Sequence, residues 1–66
     1  MNVIINGEPH KLAADATVGH AVRVVTSATR GVAAALNDEV VSRAVWEDTR
    51  IADGDRVEVL TAVQGG

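Results

Sequence analysis

Sixty-six residues with 47% apolar content and a formal charge of −3 describe one domain with a small core, near the lower limit of what folds without staples. The absence of cysteine removes disulfides, thiolate metal sites and a thiol nucleophile. An acidic balance with one tryptophan and no other aromatic excludes the cationic and stacking surfaces of a nucleic-acid binder. No stretch approaches the ~20 apolar residues of a membrane span, so a cytoplasmic, soluble chain is expected.

In chain order, Met1 to Ile5 is a short β-branched run that ends at Asn6-Gly7. That dipeptide is the strongest short hairpin signal, because both central positions of a type I′ turn need positive φ. Glu8 to Ala13 is the expected return strand, and Pro9 places it at a sheet edge, where a missing N–H does no harm. Thr17 then reads as a helix N-cap. Val18, Ala21, Val22 and Val25 follow at i, i+3, i+4 and i+7 on one helical face. Valine and Gly19 are weak helix formers, so this helix depends on packing, and it is expected to end near Ser27 to Thr29.

Gly31 and Asn37-Asp38 bound Val32 to Leu36, a run of strand length, and Glu39-Val40-Val41 pairs back across the turn. Ser42 to Arg50, with Trp46, has no clean period and reads as a loop with one helical turn. Asp53-Gly54-Asp55 is a turn. In the final strand Val57, Val59 and Thr61 alternate with Glu58, Leu60 and Ala62. Four or five strands with one helix across one face make a two-layer α+β domain over residues 1–62. Its other face is left to water or a partner, and Leu60 and Ala62 are expected there.

Residues 63–66 read as an exposed tail, Val63-Gln64-Gly65-Gly66. Two glycines without Cβ allow close approach by another protein. The reactive group at the tip is the α-carboxylate of Gly66, ionised at neutral pH and a poor electrophile until activated.

The order of elements and the diglycine end resemble the β-grasp family of sulfur carriers and ubiquitin-like proteins. The likeness is closest to the small sulfur carriers of thiamine biosynthesis, and nearly the whole chain shares it. It rests on Asn6-Gly7-Glu8 after the first strand, Thr17-Val18 at the helix start, and Asn37-x-Glu39-Val40-Val41. Arg43-x-x-Trp46-x-x-Thr49, Asp53-Gly54-Asp55-x-Val57-Glu58-Val59 and the tail from Ala62 complete it. Two departures are Asp38, where Gly is usual, and Gly19-His20, where better helix formers are usual.

The resemblance implies a β-grasp fold, with a mixed four- to five-stranded sheet and one helix on one face. It also implies a carrier rather than an enzyme, a monomer when free, with no bound cofactor. An ATP-dependent, E1-like adenylating enzyme activates Gly66, and a sulfur donor protein converts the adenylate to a thiocarboxylate. Thiazole synthase then takes the sulfur. Gly65, Gln64 and Val63 form the neck, and Leu60 the contact beside it. Two alternatives stand beside this reading: the small subunit of molybdopterin synthase, and a ubiquitin-like modifier or interaction module.

Other candidate sites have plainer explanations. Asp53 and Asp55 share a spacing with calcium loops but lack the further ligands and the twelfth-position Glu. His10 and His20 have no companion at ligand spacing. Neither Ser27 nor Ser42 lies in a nucleophile elbow. Trp46 is expected to cover one end of the sheet, and Arg50 and Arg56 to be solvated or to steer docking.

Overall fold

The computed structural model describes residues 1–62. Strand β1 (Asn2–Ile5) and strand β2 (Glu8–Lys11) form the expected hairpin. Asn6 and Gly7 both adopt positive φ, as the tight turn requires. The return strand stops at Lys11, short of Ala13, because Leu12 makes the last ladder bond, donating its N–H to the Met1 carbonyl. Helix α1 (Val18–Val25) begins at Thr17, whose side chain accepts the His20 N–H.

The helix ends earlier than the sequence suggests. Val24, Val25 and Thr26 form a β-branched run, which loses rotamer freedom in a helix, and Thr26 closes the last turn by donating to the Val22 carbonyl. Val18, Ala21 and Val22 are buried as their spacing requires, but Val25 is exposed. The helix ends at Val25 itself, just over two turns from its start, so this last position of the apolar face does not reach the core.

Strand β3 (Val32–Leu36) and strand β4 (Glu39–Val41) pair antiparallel through Asn37-Asp38, both at positive φ. The segment read as a loop with one turn is a 3-10 helix over Arg43–Asp48. Strand β5 (Arg56–Thr61) closes the sheet in the order β2-β1-β5-β3-β4. Its parallel pairing with β1 makes the sheet mixed, and Pro9 lies on the outermost strand.

Val3 and Ile5 of β1, Val57 and Val59 of β5, and Ala34 of β3 point to the helix side. There they pack with Val18, Ala21, Val22, Ile51 and Trp46. Burying each of the larger aliphatic side chains contributes ~1.5–3 kcal/mol. Trp46 is only 8% exposed and donates its indole N–H to the Val41 carbonyl at 2.8 Å. It therefore closes one end of the two-layer stack and ties the 3-10 helix to β4. No helix among the described residues is long and apolar enough to cross a membrane.

Candidate functional site

The sheet face away from α1 is uncovered, and its composition follows from strand alternation. In β5, Val57 and Val59 turn inward, which turns Glu58 and Leu60 outward; Leu60 is 68% exposed, where the sequence put it. Thr61 departs from the alternation and is exposed, because the strand there runs past the core.

Register assembles the rest of this face. Ala33 lies opposite Leu60, and Ala35 lies opposite Glu58 on one side and Val40 on the other. Val40 is 84% exposed. Because β3 offers only methyl groups between Val40 and Leu60, a shallow depression of about 80 Å³ opens there, with Glu58 beside it. Glu58 has no ion-pair partner among the described residues, whereas Arg56 on the same strand binds Asp38 at 2.9 Å.

Val40 was not singled out by sequence reasoning. Its signal was present in the two-residue Asn37-Asp38 turn, which fixes the hairpin register and so sets Val40 across from Ala35.

Two contacts hold the end of β5 in place. The Asn6 side chain accepts the Val59 N–H at 2.8 Å and donates to the Val59 carbonyl at 3.2 Å, one residue before Leu60. The Ala62 N–H donates to the Gly31 carbonyl at 2.7 Å. The last described residues, Leu60 to Ala62, are therefore held at a fixed place on the sheet. Val63, Gln64, Gly65 and Gly66, the residues to which the sequence assigned the neck and the reactive tip, lie outside the described residues.

The remaining candidates take structural roles. Asp53 accepts the Asn2 N–H at 2.7 Å, and Asp55 accepts from the Ala52 N–H at 2.8 Å and the Asn37 side-chain amide at 3.1 Å. These are turn and strand-closing bonds. Among the described residues no group of three metal-ligating side chains comes together, and no serine hydroxyl is bonded to a histidine. On the helix side, Arg23 donates two hydrogen bonds to Glu47, at 2.7 and 3.2 Å. These bonds hold the Glu47 carboxyl below its usual pKa and raise that of Arg23.

Residues 3–66 match the ThiS family. The chain is 27% identical over 66 residues to the sulfur carrier protein ThiS of Escherichia coli (strain K12), with both chains covered in full. It is also similar to a solved thiamine biosynthesis protein, ThiS, from Geobacter metallireducens. The crystal structure of that protein superposes with a TM-score of 0.78 at 33% identity, both chains fully covered. The solution structure gives a TM-score of 0.80 at 33% identity, covering all of this chain and 88% of the other. With the mixed five-stranded sheet and its single helix matched throughout, the β-grasp expectation is met, and the chain belongs to the ThiS family, the sulfur carriers of thiamine biosynthesis.

Proposed function

We propose that this chain carries sulfur as a thiocarboxylate on Gly66 and delivers it for thiazole formation in thiamine biosynthesis. On this reading an ATP-dependent, E1-like partner joins the Gly66 carboxylate to the α-phosphorus of ATP and releases pyrophosphate. The acyl-adenylate supplies the leaving group that a bare carboxylate lacks. A sulfur anion, delivered by a donor protein, attacks the Gly66 carbonyl carbon; a C–S bond forms and AMP departs. Thiazole synthase takes the sulfur, an oxygen from water or from the sulfur acceptor replaces it on the Gly66 carbonyl carbon, and Gly66 returns to the carboxylate. ATP is consumed by the partner and is not held by this chain, which acts in the cytoplasm as a monomer between encounters.

The observation that carries this reading is the placement of Leu60, Val40, Ala33 and Ala35 on one uncovered face, with Leu60 on the strand that precedes the tail in sequence. A partner seated on that face holds the root of residues 63–66 in register with its own active site. Gly65 then admits the end into a narrow channel, because it has no Cβ to clash. Val63 and Gln64 span the gap, and residues 1–62 serve as the rigid body that presents them.

Deleting Gly66 is expected to leave the domain folded and to abolish ATP–pyrophosphate exchange by the cognate adenylating enzyme. Exchange at the full-chain rate with the shortened chain would overturn the assignment.

A further inference from the structure

Asparagine followed by glycine is a chemical signal as well as a turn signal. The backbone nitrogen of the following residue can close on the side-chain carbonyl carbon, and glycine leaves that nitrogen unshielded because it has no Cβ. Of the three asparagines, Asn6 alone precedes a glycine. Asn6 and Gly7 are both exposed, and no described atom lies within 4 Å of the place where a Gly7 Cβ would be. Asn2, by contrast, precedes the buried, β-branched Val3 within a strand. Asn37 precedes Asp38, and its side chain is bonded to the Arg56 N–H and to Asp55.

What Asn6 holds gives the reaction a consequence. Strands β1 and β5 pair through only two residues each, Ile4 with Arg56 and Ile5 with Val57. Beyond them β1 turns away into the hairpin, and the Asn6 side chain takes over the seam. Its Oδ1 accepts the Val59 N–H at 2.8 Å and its Nδ2 donates to the Val59 carbonyl at 3.2 Å. One amide thus stands in for the next residue of a strand. The second bond needs an N–H, which an ionised carboxylate lacks.

We propose that Asn6 is a self-modification site, where intramolecular deamidation, gated by the clasp on Val59, replaces the β1–β5 seam with a weaker one. The Gly7 nitrogen forms a bond to Asn6 Cγ, the Cγ–Nδ2 bond breaks, and ammonia leaves with the Gly7 amide proton. One water then opens the cyclic imide at either carbonyl, giving aspartate or isoaspartate. Each product is ionised at neutral pH and sets an acceptor against the Val59 carbonyl where the donor stood, leaving that carbonyl without its partner. Isoaspartate also adds one carbon to the backbone of a two-residue turn, which disturbs the register of the hairpin. While the clasp is closed, Cγ is tied to Val59, so the molecules that react are those in which the seam has opened. Folding protects Asn6, and each opening exposes it to a step that refolding does not undo.

The test requires no partner enzyme, so its failure leaves the sulfur-carrier reading intact. The full chain is held in warm, mildly alkaline buffer, folded in one sample and unfolded by urea in another. Intact mass follows the amide-to-acid gain, and fragmentation assigns it to a residue and separates aspartate from isoaspartate. In the folded chain the gain is expected at Asn6 and not at Asn2 or Asn37, at a rate at least about tenfold below that in urea, because only opened molecules react. The purified product and an Asn6→Asp chain made directly should both unfold at lower urea than the native chain, with the isoaspartate form lowest. Equal rates in the two samples would show that the clasp gates nothing and would overturn the proposal. So would an Asn6 that never reacts in the folded chain, a gain at Asn2 or Asn37 that keeps pace with it, or a product that unfolds at the native midpoint.

Discussion

Asn6 performs two tasks with one side chain. Its backbone holds the left-handed conformation that the first hairpin needs, and its amide bonds both backbone groups of Val59 across the sheet. An alanine there loses both bonds and is strained at positive φ, so Asn6→Ala is expected to destabilise the domain by about 2–3 kcal/mol. Urea unfolding at unchanged m-value measures it; a loss below about 0.5 kcal/mol would mean that the clasp contributes little. Half of this residue was legible. Asn-Gly announces its turn, but nothing local reveals that its amide reaches residue 59. Asp38 is similar: its positive φ is plain from the hairpin, whereas the ion pair with Arg56 that accompanies it depends on the sheet having formed.

Among the elements, the strands were the most readable, because alternation and two-residue turns set both their limits and their faces. The helix was readable at its start, where Thr17 caps it, and less so at its end, where spacing alone extended the apolar face to Val25. The 3-10 helix was least legible. Its six residues are held by tertiary contacts, the buried Trp46 and the exposed Glu47–Arg23 pair, rather than by a period. Trp46→Ala removes the first of these and is expected to cost about 3–5 kcal/mol, a large share of the stability of a domain this small. Trp46→Phe keeps most of the ring but leaves the Val41 carbonyl without its donor, and should cost less than the alanine change. Thermal unfolding of the two variants ranks them, and equal losses would show that the hydrogen bond rather than the ring holds this end.

The ion pair between α1 and the 3-10 helix has a defined pH window. Arg23 lowers the Glu47 pKa in the folded chain, so the stability it brings is present above the unfolded-state value and is lost as pH falls through the folded one. The difference in unfolding midpoint between the native chain and Glu47→Gln should therefore be constant near neutrality and close in acid. A difference that widened in acid would contradict the pairing. Both side chains are exposed, so the effect is small and diminishes in salt.

At the scale of the whole molecule, a β-grasp body leaves one sheet face open and ends on the strand that precedes the terminal glycines in sequence. The architecture was legible because each turn signal agrees with the apolar pattern beside it. The open face was legible only at Leu60. Val40, Ala33 and Ala35 join it through strand order, which places β5 beside β3, and no single stretch of sequence shows that neighbour. The measurement that bears most directly on the central claim is the intact mass of the chain isolated from its own host while thiamine is being made. The account predicts a population heavier by the replacement of one oxygen with sulfur, located to Gly66 by fragmentation and absent when Gly66 is deleted. A chain recovered only as the carboxylate, under conditions in which the pathway is shown to be running, would contradict it.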